Sequence, residues 1–447
     1  MSAPLYEHLR KYAEQNRISF AMPGHKNGRG LRSGLVSLDV TELPVTENLY
    51  HGSEHMQKAN ALLSSLYGSE EGFILTGGST AAIQAMICGA VKKGGTLLAS
   101  GDCHVSVINA CALLGVKIRF FEKELDDDFC VPSRTESIKD FLTPDIDAVI
   151  VTSPNYYGIC SDIKAIAAEC HDMGIPLLVD EAHGAHFVSS DLFPETAVKY
   201  ADAVCHSAHK TLNAMNGAAY LHLSGKLIDR ARVKRALTVF QSTSPSYVIA
   251  STADTARDEI KSVGWERTYK LCISMRDSAK KAGIRVLDND DMTRLVINFS
   301  DYYITGFEVR DILSANGIDI EMADLFNIVA IVTPSNTVEE MRSLWWAVLD
   351  IIEKAEKKDV NIGTPAPPVC GATLSPADVF AHDWEEIEIE RAAGRVACDT
   401  VVPYPPGVPV IFTGERIRRE QIEYVRQIED AGGEINGIEN GKILVVK

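Results

Sequence analysis

The ten cysteines of this 447-residue chain include no C-x-x-C pair and no zinc-like spacing. That absence removes dithiol redox and zinc-ribbon readings. Several cysteines sit inside apolar runs, so they read as reduced, mostly buried thiols. No apolar run reaches membrane-spanning length. Residues 1–17 form a polar amphipathic stretch with Leu5, Leu9 and Tyr12 on one face, which is not a signal-peptide pattern. Positive charge is also scarce: 44 Lys and Arg stand against 61 Asp and Glu, giving a net charge of -17 and a pI near 5.2. This argues against a nucleic-acid partner, because binding phosphates needs clustered cations. There is no internal repeat and no low-complexity segment. What remains, 46% hydrophobic and 23% charged, is the composition of a soluble cytoplasmic protein long enough for more than one domain.

Between residues 54 and 225, short apolar runs alternate with helical periods. Residues 72–75, 96–99, 116–121, 148–152 and 176–180 read as strands, and 79–91, 105–114 and 163–173 as helices. The expected fold is α/β, a mostly parallel sheet with helices on both faces, plus smaller α+β domains. In such sheets ligands bind beyond the carboxyl ends of strands, where Ser153, Asp180 and residues 206–210 fall. Residues 246–282 read as one long helical region, and 284–353 as a smaller α+β unit. Further on, 375–393 reads as acidic and helical, 403–409 as a rigid proline-rich segment, 418–431 as a helix and Asn440-Gly441 as a hairpin turn. The expected division is an N-terminal arm (1–53), a large domain (54–255), a small domain (256–356), a proline-containing linker (357–368) and a C-terminal domain (369–447).

The chemistry centres on Ser207-Ala208-His209-Lys210, thirty residues after Asp180. A lysine placed after Ser and His, downstream of a strand ending in Asp, is the arrangement expected around pyridoxal 5'-phosphate (PLP). The amine bonds the cofactor and the carboxylate pairs with its pyridine nitrogen. Taken alone, Lys210 reads equally well as a solvated loop lysine. Thr76-Gly77-Gly78-Ser79-Thr80 lies between a strand and a helix. Its glycines admit an anion to the helix N-terminus, and Ser79 and Thr80 add hydroxyls; the plainer reading is a turn with an N-cap. Ser207 and His209 are placed to close the same phosphate from the other side. In Asp180-Glu181-Ala182-His183-Gly184-Ala185-His186, Asp180 can keep a pyridine nitrogen protonated, Ala182 can lie against the ring and His183 can donate to its phenolic oxygen. The two histidines are three apart rather than the four of a metal-binding helix, so no metal is expected. His104, opening a helix in Cys103-His104-Val105-Ser106, can stack on the opposite ring face and move a proton; a satisfied loop histidine is the alternative. The glycine-rich basic segment at residues 22–30 either wraps into the site or is a solvated turn.

Seven motifs occur in order: Pro-Gly-His-Lys-x-Gly-x-Gly from Pro23, Cys-His-x-Ser from Cys103, Thr-Ser-Pro-x-Tyr-Tyr-Gly ending at Gly158, Asp-Glu-Ala-His-Gly-Ala-His, Ser-x-His-Lys-Thr-Leu, Gln-Ser-Thr-Ser-Pro-Ser-Tyr from Gln241, and Val-Pro-Tyr-Pro-Pro-Gly ending at Gly407. Together they resemble the Orn/Lys/Arg decarboxylase family, PLP enzymes of the aspartate-aminotransferase fold. The resemblance implies Lys210, His104 and Asp180 as catalytic residues. It implies a cofactor cradle of Gly78, Ser79, Thr80, Ala182, His183, Ser207, His209 and Thr243, the last on a loop of the kind contributed by a partner subunit. It further implies a cytoplasmic homodimer or dimer-based oligomer that decarboxylates a basic amino acid in polyamine-type metabolism. Pro23 comes so early that the expected form is a short one, without the N-terminal wing domain of longer members. Glu321-Met322-Ala323-Asp324 matches the family pattern and makes Glu321, then Asp324, the candidates to meet the substrate's distal cation; both can equally be surface charges capping a strand. Arginine is the expected substrate, then lysine, then ornithine. One departure bears on this: where the family has Leu-Asp-Asp-Leu, this chain reads Thr46-Glu47-Asn48-Leu49. The rivals are an aminotransferase or lyase of the same fold, the former needing an arginine such as Arg294 or Arg310 for the α-carboxylate, and a catalytically silent binding or regulatory protein.

Overall fold

Seven strands form the central sheet of the computed structural model: β1 (Glu71–Leu75), β2 (Thr96–Ser100), β3 (Lys117–Phe121), β4 (Ala148–Thr152), β5 (Leu177–Asp180), β6 (Ala203–His206) and β7 (Ala219–Leu223). The described residues are 18–20, 25–26, 29–30, 42, 48–50, 54–358, 371–403 and 407–447. The amphipathic face at Leu5, Leu9 and Tyr12, residues 43–47 of the acidic departure, most of the linker and Tyr404 to Pro406 lie outside them. The strand order is β1-β7-β6-β5-β4-β2-β3. Strands β6, β5, β4, β2 and β3 pair in parallel, while β7 runs antiparallel to both β6 and β1.

Strand β4 (Ala-Val-Ile-Val-Thr) is buried at every position, as expected where helices cover both faces. Its side chains alternate between two cores: Val149 and Val151 join one, Ala148 and Ile150 the other. The first core is closed by the helices Glu54–Tyr67, Ile163–Asp172 and Tyr247–Glu259. The second is closed by Gly78–Ala90, Val105–Leu114 and Arg230–Phe240, the last a helix that the sequence reading passed over.

The smaller sheet joins Arg285–Val286, Arg294–Asn298, Asn327–Ile331 and Met322–Ala323, all antiparallel, and packs against the helices Trp265–Lys281, Gly306–Ala315 and Val338–Lys354. The region 246–282, expected as one helix, is two: Tyr247–Glu259 and Trp265–Lys281. Gly264, at φ +99°, breaks it, a backbone state in which a right-handed helix cannot continue.

The expectation of an acidic helix over 375–393 is corrected. A single turn, Pro376–Val379, is followed by the strand Trp384–Glu388. Its exposed and half-buried residues alternate, and it pairs antiparallel with Lys442–Val446, where Lys442 Nζ lies 3.0 Å from Glu386. The acidic residues that suggested a helix face are the solvent side of a period-two strand. Asn440 and Gly441, both at positive φ, do form a tight turn. It is not a simple hairpin, because the preceding strand Ile435–Asn436 pairs with Val402–Pro403 instead.

Candidate functional site

Two strand ends and the helical turn after the second supply the centre of the site. β5 ends on Asp180, β6 ends on His206, and one turn of helix, Ala208–Thr211, then carries Lys210. The Ser207 N–H donates to the Ala182 carbonyl (3.2 Å), which ties the two strand ends together. Asp180 is buried. One of its oxygens accepts from Ala182 N at 3.1 Å and from the Cys205 thiol at 3.5 Å.

Lys210 Nζ lies 3.0 Å from His183 Nε2 and 5.6 Å from the centre of the Tyr156 ring. Burial lowers its pKa, Asp180 and Glu321 oppose that, and Arg294 adds to it. A half-buried amine whose pKa is held down is suited to bonding a carbonyl group, because the neutral amine is the nucleophile. The His183 ring meets Tyr156 edge-on at 4.7 Å, and its Nδ1 lies 2.6 Å from Arg294 Nη2. Burial, with Lys210 and Arg294 nearby, keeps this imidazole well below its usual range.

The phosphate side starts at Gly78–Ala90, whose N-terminus opens on Gly78 at φ +70°. Gly78 N donates to the Gly217 carbonyl, and Ser207 Oγ donates to Ser79 Oγ at 2.9 Å. A helix N-terminus with two hydroxyls at it suits a phosphate dianion. Thr80, a further candidate, is exposed there. His209 Nδ1 donates to the Ala218 carbonyl at 2.8 Å, and burial lowers its pKa to about 4. Its remaining nitrogen is therefore an acceptor until an anion draws a proton onto the ring.

His104 caps the Val105–Leu114 helix, its Nδ1 2.7 Å from Ser106 Oγ. Burial and then Lys210 bring it to about 4 against the opposing pull of Asp180, so it is a neutral ring at neutral pH. Gly407 passes beside it: a Cβ there would stand 3.2 Å from His104 Cδ2, and Val105 N donates to the Gly407 carbonyl. The proline-rich motif of the C-terminal part thus ends against the site, a contact no spacing argument foresaw.

Other expectations divide. Thr243 is exposed on its loop. Asp324 accepts from Tyr157 Oη at 2.8 Å and from the N–H groups of Phe326 and Asn327, which commits it to holding a turn. Glu321 is half-buried and within electrostatic reach of Lys210, Lys26 and Arg294. Arg310 turns to Asp311 and the Gly432 carbonyl, whereas Arg294 is buried at the site. Residues without a role in the sequence reading also gather here. Gln241 Oε1 accepts from Tyr50 Oη (2.8 Å) and Thr76 N (3.2 Å), supporting the phosphate loop. Lys26, fully buried at φ +45°, is lowered to about 7 by burial, with Glu321 opposing. Gly158 closes the Tyr-Tyr-Gly motif at φ +81°; a Cβ there would sit 2.9 Å from the Arg294 side chain. Among the described residues no cluster of three or more His, Cys, Asp or Glu could hold a metal.

A lysine of lowered pKa, a carboxylate at a strand end and a helix N-terminus bearing hydroxyls fit the amine-bonding, ring-nitrogen and phosphate requirements of PLP. Comparisons with known proteins agree. The Orn/Lys/Arg decarboxylase major-domain model matches residues 3–298, and the C-terminal-domain model of that family matches 366–441. The chain is 33% identical to the uncharacterised protein YaaO of Bacillus subtilis over 96% of this chain and 94% of that one. It is 28% identical to an arginine decarboxylase of the same organism over 99% and 97%. Its fold superposes on that of the constitutive lysine decarboxylase of E. coli with a TM-score of 0.75, at 16% identity, over 100% of this chain and 82% of that one. The chain belongs to the Orn/Lys/Arg decarboxylase family and is a decarboxylase whose cofactor is pyridoxal 5'-phosphate.

Proposed function

We propose that this decarboxylase acts on arginine in preference to lysine, and on lysine in preference to ornithine, releasing the amine and CO2. The observation that carries this reading is the similarity to arginine decarboxylases along almost the whole chain. PLP, when bound, supplies the electron sink for the bond that breaks. The residues contribute orientation and charge. Lys210 Nζ is the amine that bonds the cofactor, Asp180 holds the proton on its ring nitrogen, and His104, a neutral ring, stacks rather than donates. Gly78, Ser79 and Ser207 receive the phosphate. Lys210 Nζ returns the proton to Cα, since His104, at about 4, holds none to give at neutral pH. Glu321 meets the distal cation, a role supported by its electrostatic reach to Lys210. A carboxylate pairs two N–H groups of a guanidinium but meets an ammonium as a point charge, which favours arginine.

The test is to incubate the PLP-loaded protein separately with arginine, lysine and ornithine and to assay agmatine, cadaverine and putrescine. Agmatine should dominate, and no amine from any of the three would refute the substrate class. Lys210→Ala should abolish turnover together with the visible absorbance of the bound cofactor; full activity in it would end the cofactor assignment. Glu321→Gln should raise KM for arginine by roughly tenfold or more, as expected when a charge-assisted pair is lost. An unchanged KM would remove Glu321 from the substrate site.

A further inference from the structure

Arg294 opens a strand of the small sheet, yet its side chain ends in the centre of the site. It is completely buried, and its position is over-determined. Its carbonyl accepts from Arg276 Nη2 (2.5 Å) and Asn289 Nδ2 (3.0 Å), and Gly158 leaves room for its Cβ and Cγ. Its Nε lies 3.7 Å from Asp291 Oδ2. The other Asp291 oxygen accepts from Thr293 Oγ1 (2.6 Å) and faces His186 Nε2 (3.3 Å). Arg294 Nη2 then reaches His183 Nδ1 at 2.6 Å, and His183 Nε2 faces Lys210 Nζ at 3.0 Å.

A guanidinium has donors and no acceptor, so the 2.6 Å contact requires a lone pair on His183 Nδ1. In a neutral imidazole the proton then resides on Nε2, the nitrogen turned to Lys210. We propose that Arg294 is a positioning residue: by donating to His183 Nδ1 it fixes the tautomer protonated on Nε2, so that His183 presents an N–H donor to the phenolic oxygen of the cofactor bonded at Lys210. Without Arg294 the ring is free to carry its proton on Nδ1, turning a lone pair toward an electron-rich oxygen. Burial, with Lys210 and the Arg294 guanidinium beside it, holds His183 well below its usual range, which keeps the ring neutral and makes the choice of tautomer decisive. The inference rests on the cofactor assignment above. It competes with a different role, a grip on the substrate's α-carboxylate, because Nε and Nη1 of Arg294 make no hydrogen bond among the described residues.

The test is a double-mutant cycle on the holoenzyme with Arg294→Met, His183→Phe and the pair, reading the PLP dissociation constant and the pH midpoint of the bound cofactor's visible absorbance. Each single variant should weaken PLP retention roughly tenfold, the scale of one hydrogen bond to a charged oxygen. Each should also move the midpoint up by about one unit, because the nitrogen joining Lys210 to PLP then holds its proton against a less stabilised oxygen. The double variant should be no worse than His183→Phe alone. Additive losses, or a change confined to KM for the amino acid, would overturn the proposal in favour of a direct contact with substrate. If Arg294→Met does not fold, Arg294→Lys keeps a positive charge beside Asp291 but loses the planar fork, and the same cycle applies. In cofactor-free protein labelled with 15N-histidine, His183 should be protonated on Nε2 in the wild type and on both nitrogens in exchange in the variant. A wild-type ring protonated on Nδ1 overturns the proposal even if PLP binding itself fails, so this failure and failure of the cofactor assignment are distinguishable.

Discussion

Glu181 follows Asp180 by one residue and belongs to a different task. Its carboxyl is buried beneath the site, with Thr196 Oγ1 and His206 Nε2 each 2.6 Å from Oε2 and Ala197 N 2.9 Å from Oε1. Burial raises Glu181 to about 8, and lowers His206 to about 3. A raised folded-state pKa means that Glu181's contribution to stability is complete below about pH 4.5 and is lost as pH rises through about 8. The lowered His206 acts oppositely, costing stability as pH falls below about 6.5. Between about pH 6.5 and 8 only Glu181 of this pair changes stability, and it should cost the protein about 2 kcal/mol. Glu181→Gln has no such proton, so the wild-type melting temperature should fall relative to the variant's as pH rises through that window. A difference between the two that stays constant with pH would contradict the buried neutral acid.

At the scale of the element, the segment ending at Gly407 shows how a distant part of the chain completes the site. Gly407 lies at φ +86°, and a Cβ there would press on His104, whose ring is already fixed through Ser106. Gly407→Ala should destabilise by about 1–2 kcal/mol, the cost of forcing a side chain into left-handed backbone. It should also lower kcat several-fold by displacing the ring. Measuring kcat and melting temperature together checks this; an unaffected kcat would separate the segment from His104. The Trp384–Glu388 strand illustrates how element type depends on context. Five residues rich in glutamate favour a helix by propensity, but their alternating burial and the paired strand Lys442–Val446 overrule it.

For the whole molecule, the family resemblance implies a homodimer of 48.8 kDa chains. The exposed Thr243 loop fits a contribution from one copy to the site of another. So does the hollow of about 450 Å³ between the Glu54–Tyr67 and Arg230–Phe240 helices, lined by both apolar and polar side chains; these two elements also leave Leu62 and Val239 exposed. Sedimentation should give a dimer or a multiple of it, and activity should fall on dilution below the dimer's dissociation constant. A fully active monomer would contradict the shared-site reading. Among the described residues no helix is long and apolar enough to cross a membrane.

The local pattern of the chain determined the alternating strands and helices from β1 to β5, because short apolar runs and helical spacings carry their own periods. It also determined the candidates Lys210, Asp180 and His183, since each lies within a few residues of a strand end and needs only local geometry to reach the site. Long-range packing decided the rest. Arg294 lies 111 positions from the histidine it touches, Gly407 comes from another part of the chain to meet His104, and Asp324 accepts a hydrogen bond from Tyr157, 167 positions before it. No periodicity records such contacts: they depend on which faces the folded sheets bring together, and burial, which sets the protonation of each group, exists only once they have met.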